Sequence, residues 1–341
     1  MTVYGGRNYM KKVTMKDIAE KAGVTKATVS MVLNKKNVKI SEETKRKIFK
    51  IAKEMNYIPN AIARSLTTNK TQTIGIILPD ITNPFFSEMA RAIEDTAHKL
   101  NYNVIVCNTD SNGKKEEKYI RLLIGKLVEG IIFITGEGDV DNLEILKRNN
   151  VSFVLVDRYI DGNNDYPGVY CLNKLGVKQG VDYLISKGKK NIAFVAGGKK
   201  LSVSRQRIDG YIEAMKINSI DYSGLIFEGD FTLEGGMKAT EEIVSSNKKI
   251  DAIFYSNDAM ALGGLKVLKR KKIKVPEDIS VIGFDNIKIC SFIEPELTTI
   301  SQPIYKMGKK ACELLIEVIA GNVKNEQIYF ETELFKGQTV K

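Results

Sequence analysis

Apolar residues at positions 15, 18, 19 and 22 follow the i, i+3, i+4, i+7 spacing of one helical face, which predicts a short helix starting behind Thr14, a good N-cap residue. Gly23 ends it. Thr25 can cap again, and Val29, Val32 and Leu33 turn inward along a second helix over 27–34. A third helix opens at Ser41-Glu42-Glu43-Thr44 and carries a stripe of Ile48, Ile51, Ala52 and Met55 before Tyr57 and Pro59 stop it. Helix, tight glycine turn, helix and a third helix together make one small core.

From Thr73 the pattern changes to strand-length apolar runs alternating with amphipathic stretches, the mark of parallel α/β architecture. One set of strands is expected at 73–78, 103–108, 130–134 and 152–157, and a second at 191–196, 225–228, 252–256, 280–284 and 298–302. Helices are expected over 88–100, 115–127, 176–186, 207–218, 233–245, 259–271 and 304–319. Two consecutive sets imply two similar lobes.

Composition narrows the class. The 341 residues are 43% apolar and 27% charged, which excludes disorder and collagen-like repeats. Apolar runs such as 153–156 and 192–196 are far shorter than the ~20 residues of a membrane span, and the first seven residues form no apolar leader. Cys107, Cys171, Cys290 and Cys312 lie far apart without metal-ligand spacing, so reduced thiols in a cytoplasmic protein with no metal and no cofactor are expected. Charge is more telling. Lys and Arg number 52 against 41 Asp and Glu, a net of +11; residues 1–70 hold 16 basic and 5 acidic side chains, and the other 271 residues hold 36 of each. The whole excess belongs to the helical module, which points to a polyanionic partner at that end.

The run from Val13 to Ser30 (VTMKDIAEKAGVTKATVS), together with Tyr57-Ile58-Pro59-Asn60-Ala61-Ile62-Ala63-Arg64-Ser65-Leu66, resembles the family of bacterial repressors named after the lactose and galactose repressors (LacI/GalR). The body adds Asp80-Ile81-Thr82-Asn83-Pro84-Phe85-Phe86, Asn257-Asp258-Ala259-Met260-Ala261-Leu262-Gly263, Gly283-Phe284-Asp285 and Leu297-Thr298-Thr299-Ile300, in the family's order. The resemblance covers essentially the whole chain. It implies a small all-α helix-turn-helix DNA-binding domain and a two-lobed, doubly wound, periplasmic-binding-protein-like α/β effector domain. The corresponding boundaries are an extension at 1–12, the DNA-binding domain at 13–58, a hinge helix and linker at 59–71, an N-lobe at 72–171 plus 302–331, and a C-lobe at 172–301 plus 332–341. The extension precedes the family's usual start, and Met10 is an alternative initiator.

A helix presenting Thr25, Lys26, Thr28 and Ser30 offers short donors and a cation to a major groove and its phosphates. The resemblance places Lys26, Ala27 and Met31 at base edges and adds Thr14, Asn34, Tyr57, Asn60 and Arg64 to the DNA-binding set. Met31 replaces the Arg or His common in relatives, so its contact would be apolar. Residues 59–66 are too few to hold a helix alone. In the family two such segments pair on DNA, where Leu66, with Ala63 beside it, matches the leucine that wedges into the minor groove.

For the body the resemblance extends to ribose-type binding proteins. Candidate ligand-binding residues are Asn83, Phe85, Phe86, Asp157, Arg158, Arg207, Phe231, Asn257, Asp285 and Gln302. Amides, carboxylates and guanidinium forks suit paired hydroxyls, and phenyl rings suit the apolar face of a sugar. Leu172-Asn173 departs from an Asp-Asn pair found in many relatives. The implied partners are double-stranded operator DNA, a small effector of sugar type and a second copy of the chain, with no membrane. Only about twenty residues follow Gly321 and none forms leucine heptads, so a homodimer is expected rather than a tetramer. A purine or a phosphoprotein corepressor remain alternatives; the second is weakened by Glu294, which stands where a phosphoprotein-responsive branch carries a basic residue.

Enzyme motifs are incomplete. His98, the lone histidine, falls within an amphipathic helix. Gly197-Gly198-Lys199-Lys200 lacks the earlier glycine and the hydroxyl residue of a phosphate loop, and Gly136-x-Gly138 lacks a third glycine. A non-enzymatic regulator is expected.

Overall fold

The computed structural model describes residues 13–34, 39–58, 70–134, 140–157, 166–198, 200–246 and 248–341. Asn60, Ala63, Arg64, Leu66 and Arg158, the extension 1–12 and Lys199 lie outside the described residues. The chain divides into two compact units, Met1–Thr71 and Gln72–Lys341.

The first unit contains α1 (Met15–Ala22), α2 (Lys26–Leu33) and α3 (Glu42–Glu54). Local chemistry sets each boundary. The Thr14 hydroxyl accepts from the Asp17 N–H, while the Asp17 carboxylate accepts from the Thr14 N–H at 2.7 Å, a closed capping box. Gly23 ends α1 at φ +71°, a left-handed backbone that glycine adopts without strain. Thr25 and Ser41 cap α2 and α3 through the N–H groups of Thr28 and Thr44. Ile18, Val29, Val32, Ile48 and Ile51 form the centre of the core, and Met15, Met55 and Tyr57 pack at its margin.

The second unit is built on two six-stranded sheets. One runs β11-β5-β4-β3-β1-β2 and the other β12-β10-β9-β8-β6-β7. In the first sheet the ranges are β1 Thr73–Leu78, β2 Asn103–Asn108, β3 Gly130–Phe133, β4 Ser152–Val156, β5 Gly168–Cys171 and β11 Gln327–Phe330. The second contains β6 Ile192–Ala196, β7 Ile226–Glu228, β8 Ala252–Tyr255, β9 Ser280–Asp285, β10 Thr298–Ser301 and β12 Glu333–Phe335. Every pairing is parallel except β12 on β10. Central strands are buried along both faces, which is why they read as unbroken apolar runs.

Helices α4 (Pro84–Lys99), α5 (Gly113–Gly125) and α6 (Val140–Arg148) belong with the first sheet, and α7 (Asn173–Ser186), α8 (Ser202–Ile217), α9 (Leu233–Ser245) and α10 (Asp258–Arg270) with the second. The chain passes between the sheets after β5, after β10 and after β11. The second passage delivers α11 (Ile304–Ile319), which packs on α4 and along β3, β4 and β5.

Short elements escaped the sequence pattern. β5, β11 and β12 are three or four residues long, too few for a periodicity. α6 is only nine residues, and Lys288–Phe292 forms a 3-10 turn. α4 starts at Pro84, four residues before its expected start, because Asn83 caps it and Pro84 fits the first turn. Thr14→Ala opens the capping box and is expected to lower the stability of α1 by about 1 kcal/mol; faster amide exchange in Met15–Ala22, with α3 unaffected, measures it.

Candidate functional site: a recognition helix and an inter-lobe cleft

On α2 the buried Val29 and Val32 fix which side faces out. Lys26, Ala27 and Asn34 are exposed, and Ser30 and Met31 are half-buried on the same face, at i, i+1, i+4, i+5 and i+8. Thr25 and Thr28 share a hydrogen bond of 2.9 Å between hydroxyls, and the Asn34 amide donates to Ser30 Oγ at 3.3 Å. Thr14 is occupied in its capping box, and Tyr57 is half-buried against the three-helix core, where burial raises its phenol pKa. Within this unit Lys26, Ala27, Ser30, Met31 and Asn34 thus share one outward face, and Thr25 and Thr28 are joined at the start of the helix.

In the second unit, Asn83, Phe85, Phe86, Asp157, Val203, Arg207, Phe231, Asn257 and Asp285 line a single small cavity of about 30 Å³. The first four come from the N-lobe, at the C-terminal ends of β1 and β4, and the rest from the C-lobe, so the cavity lies where two open parallel sheets face each other. Gln302 stands behind it and donates to Asp285 Oδ1 at 2.7 Å.

Arg207, only 3% exposed, is the centre of this site. Its Nε donates to Asn173 Oδ1 at 2.9 Å, Nη1 donates to the Ser256 carbonyl, and Nη2 lies 3.7 Å from Asp285 Oδ1. The guanidinium covers the Phe284 ring at 3.8 Å from the centroid and stands 5.9 Å from that of Phe231. Burial lowers the Arg207 pKa against the opposing pull of Asp285 and Asp157. Burial also holds the Asp285 carboxyl well above the usual carboxylate range, with Arg207 opposing.

The backbone is unusual at the same place. Asp157, Phe231 and Asp285 have φ of +64°, +68° and +119°, conformations that side-chain-bearing residues rarely hold and that cluster at binding sites. Gly197 makes room for Phe231, because a Cβ there would approach the ring to 2.1 Å. Two candidate amides are partly committed: Asn83 Oδ1 caps α4 through the Phe85 N–H, and Asn257 caps α10 while donating to the Phe231 carbonyl. Phe85 and Phe86 meet edge to face at 5.3 Å and also belong to the lobe core.

Three participants escaped the sequence reading. Asn173 orients Arg207 through its side-chain oxygen, and its neighbour Leu172 begins α7 without a side-chain cap. Val203 stands one turn before Arg207 on α8. Asp258 is fully buried, accepting from Thr299 Oγ1 at 2.6 Å and the Ile287 N–H at 2.8 Å. Its motif Asn257-Asp258 was the available signal. His98 is exposed on α4. Among the described residues no group of His, Cys, Asp and Glu could hold a metal, and no helix is long and apolar enough to cross a membrane.

Burial pushes the Asp258 carboxyl up to about 6, above its ordinary 3.8. The native state therefore binds this proton first, and stability from this group rises as pH falls from about 6 towards 4. The melting temperature of the wild type minus that of Asp258→Asn should be more positive at pH 4.5 than at pH 7; a flat difference would remove the burial argument.

Residues 14–60 match the family of bacterial regulatory proteins of the lacI type, and residues 71–336 match the periplasmic binding proteins and sugar binding domain of the LacI family. Catabolite control protein A of Priestia megaterium is 37% identical over 305 residues, 89% of this chain and 91% of that protein. A crystal structure of the lac repressor dimer bound to operator and an anti-inducer superposes with a TM-score of 0.88 at 27% identity, covering 96% of this chain and 99% of that one. A LacI-family regulator from Enterococcus faecium with bound ribose gives 0.73 at 31% identity, over 79% and 98% of the two chains. The matching family is one of bacterial regulatory proteins; within it the lac repressor is seen as a dimer on operator DNA and the Enterococcus faecium regulator holds ribose. The helix-turn-helix unit and the two-sheet body with its polar cleft thus have one explanation: the chain belongs to the LacI family and is a transcriptional repressor with a periplasmic-binding-protein-like, sugar-binding domain.

Proposed function

We propose that this protein is a cytoplasmic homodimer repressing genes of carbohydrate uptake or catabolism, and that a pentose-like monosaccharide or derivative held between its lobes releases it from a near-palindromic operator. The convergence of eight candidate residues on one cavity around Arg207 and Asp285 carries this reading. The cluster supplies the paired acceptors, forked donors and aromatic faces that a polyol engages. Ribose bound to the Enterococcus faecium relative supports the same class.

At about 30 Å³ the space is well below that of ordinary ligand pockets, so a sugar enters only if the lobes part. Residues close in sequence to its lining, Pro84, Ser87 and Glu88 of the N-lobe and Asn286 and Lys288 of the C-lobe, border a separate, open groove of about 530 Å³. Sugar hydroxyls would take over the 3.7 Å ion-pair contact between Arg207 and Asp285, and a difference in affinity between lobe arrangements shifts their equilibrium. Because the linker enters at the N-lobe, a change of lobe angle changes the spacing of two hinge segments in a dimer. In this reading residues 13–58 read half-sites, 59–71 form the hinge and linker, 72–171 with 302–331 form the N-lobe, and 172–301 with 332–341 form the C-lobe. Arg158, Asn60, Ala63, Arg64 and Leu66 keep the roles implied by the resemblance. A corepressor reading draws on the likeness to catabolite control protein A, but Glu294 would repel a phosphoserine.

A thermal-shift screen of pentoses, hexoses, their phosphates and purines separates these possibilities. A true effector at 100 times its Kd should stabilise the protein by about 2.7 kcal/mol, and Arg207→Ala and Asp285→Ala should each abolish the shift. A hit indifferent to both substitutions would place the ligand elsewhere. On the DNA side, Lys26→Ala should weaken binding and reduce the slope of log affinity against log salt by about 1, whereas Leu66→Ala should weaken binding and leave that slope unchanged.

A further inference from the structure

The chain enters the second unit at Gln72, and the hydrogen bonds there are unusually complete. The Gln72 N–H donates to Glu129 Oε1 at 2.6 Å, and the Gln72 carbonyl accepts from the Asn103 N–H at 2.8 Å. The other carboxylate oxygen of Glu129 accepts from the Tyr102 hydroxyl at 3.0 Å, and the Glu129 N–H donates to the Thr73 carbonyl at 2.9 Å. Tyr102 packs against the main core of the unit. Gln72 itself is held at φ +49°, a conformation an unconstrained glutamine avoids.

These contacts have a definite place in the fold. β1 lies between β2 and β3, with Thr73 opposite Asn103 and Ile74 opposite Gly130. Asn103 and Glu129 therefore grip the incoming chain from its two flanking strands. The grip is at the N-terminal edge of the sheet, whereas Asn83 and Asp157 lie past the C-terminal edge. Six residues of β1 separate the two edges, roughly 20 Å at the rise of a strand.

We infer that Glu129 is a positioning residue for operator binding: with Tyr102 behind it, it clamps Gln72 so that the linker to the DNA-binding unit leaves the N-lobe in one direction. A strand end with no such clamp would let residue 72 turn freely, and reorientation of the N-lobe would be lost in the linker before reaching the DNA-binding unit. The clamp makes Gln72 move with the sheet. A carboxylate does this well because it accepts a backbone N–H with one oxygen while a second donor fixes the other. The inference rests on the operator-binding reading only through the linker and is independent of which effector fills the cleft.

The test uses the full-length protein and its Glu129→Ala, Glu129→Gln and Tyr102→Phe variants. Amide exchange is read in peptides spanning residues 70–78, and affinity is read with a duplex that the wild type selects from a random-sequence pool. Glu129→Ala should speed exchange at residue 72 at least 10-fold while amides of 74–78 keep their protection, and should weaken operator binding roughly 3- to 30-fold. Glu129→Gln, whose amide oxygen still accepts the N–H, should restore most of both; Tyr102→Phe should fall between. Unchanged exchange in Glu129→Ala, faster exchange with unchanged affinity, or an affinity loss that tracks a lowered melting temperature and is not rescued by Gln would each overturn the assignment. A wild type that selects no duplex would refute operator binding itself, a result distinct from any difference among the variants.

Discussion

A buried guanidinium organises the effector domain. Taking Arg207 out of water costs several kcal/mol before compensation, so its neighbours are arranged to repay that cost: Asn173 and the Ser256 carbonyl accept its protons, Asp285 supplies charge, and Phe284 supplies a π face. The four compensating groups come from three separate segments of the C-lobe. Removing one partner of such a pair typically costs roughly 3–5 kcal/mol, which ties the ends of β8, β9 and α7 to one side chain on α8.

The same arrangement suits a switch. Arg207 and Asp285 neutralise each other only at 3.7 Å, with burial opposing the ionised form of both. In the proposed function, a polyol offering better-placed hydroxyls replaces that imperfect contact. Backbone strain at Asp157, Phe231 and Asp285 adds to the picture of a site held in shape by its surroundings. The three chain passages between sheets are the covalent connections across which such a site can bias lobe geometry.

Charge separates the two units by function. The excess of +11 arises within residues 1–70, and the rest of the chain is balanced. On α2, internal packing of Val29 and Val32 fixes which residues face outward, and a cation and small polar groups occupy that face. Long-range attraction to a polyanion and short-range reading of a groove are thus placed on the same small unit.

Local periodicity, caps and motifs were enough to establish the three-helix unit, the α/β alternation, the family resemblance and most cleft candidates, because each depends on residues close in sequence: Thr14 with Asp17, Gly23 after α1, an apolar run for each buried strand. Elements stabilised by distant partners were not legible. β11 is four residues long and exists because it pairs with β5 across more than 150 positions of chain, which no local pattern records. Asn173 stands in sequence only as part of a departure from an Asp-Asn pair and becomes a hydrogen-bond partner of Arg207 only when α7 and α8 pack together. Glu129 reads as a polar residue before a strand and becomes the anchor of Gln72 only when β3 aligns beside β1. Sequence alone determined which chemical groups this protein carries and in what order; tertiary structure decided which of them meet, because hydrogen bonds and ion pairs act over a few ångströms while the residues that make them are scattered along the chain.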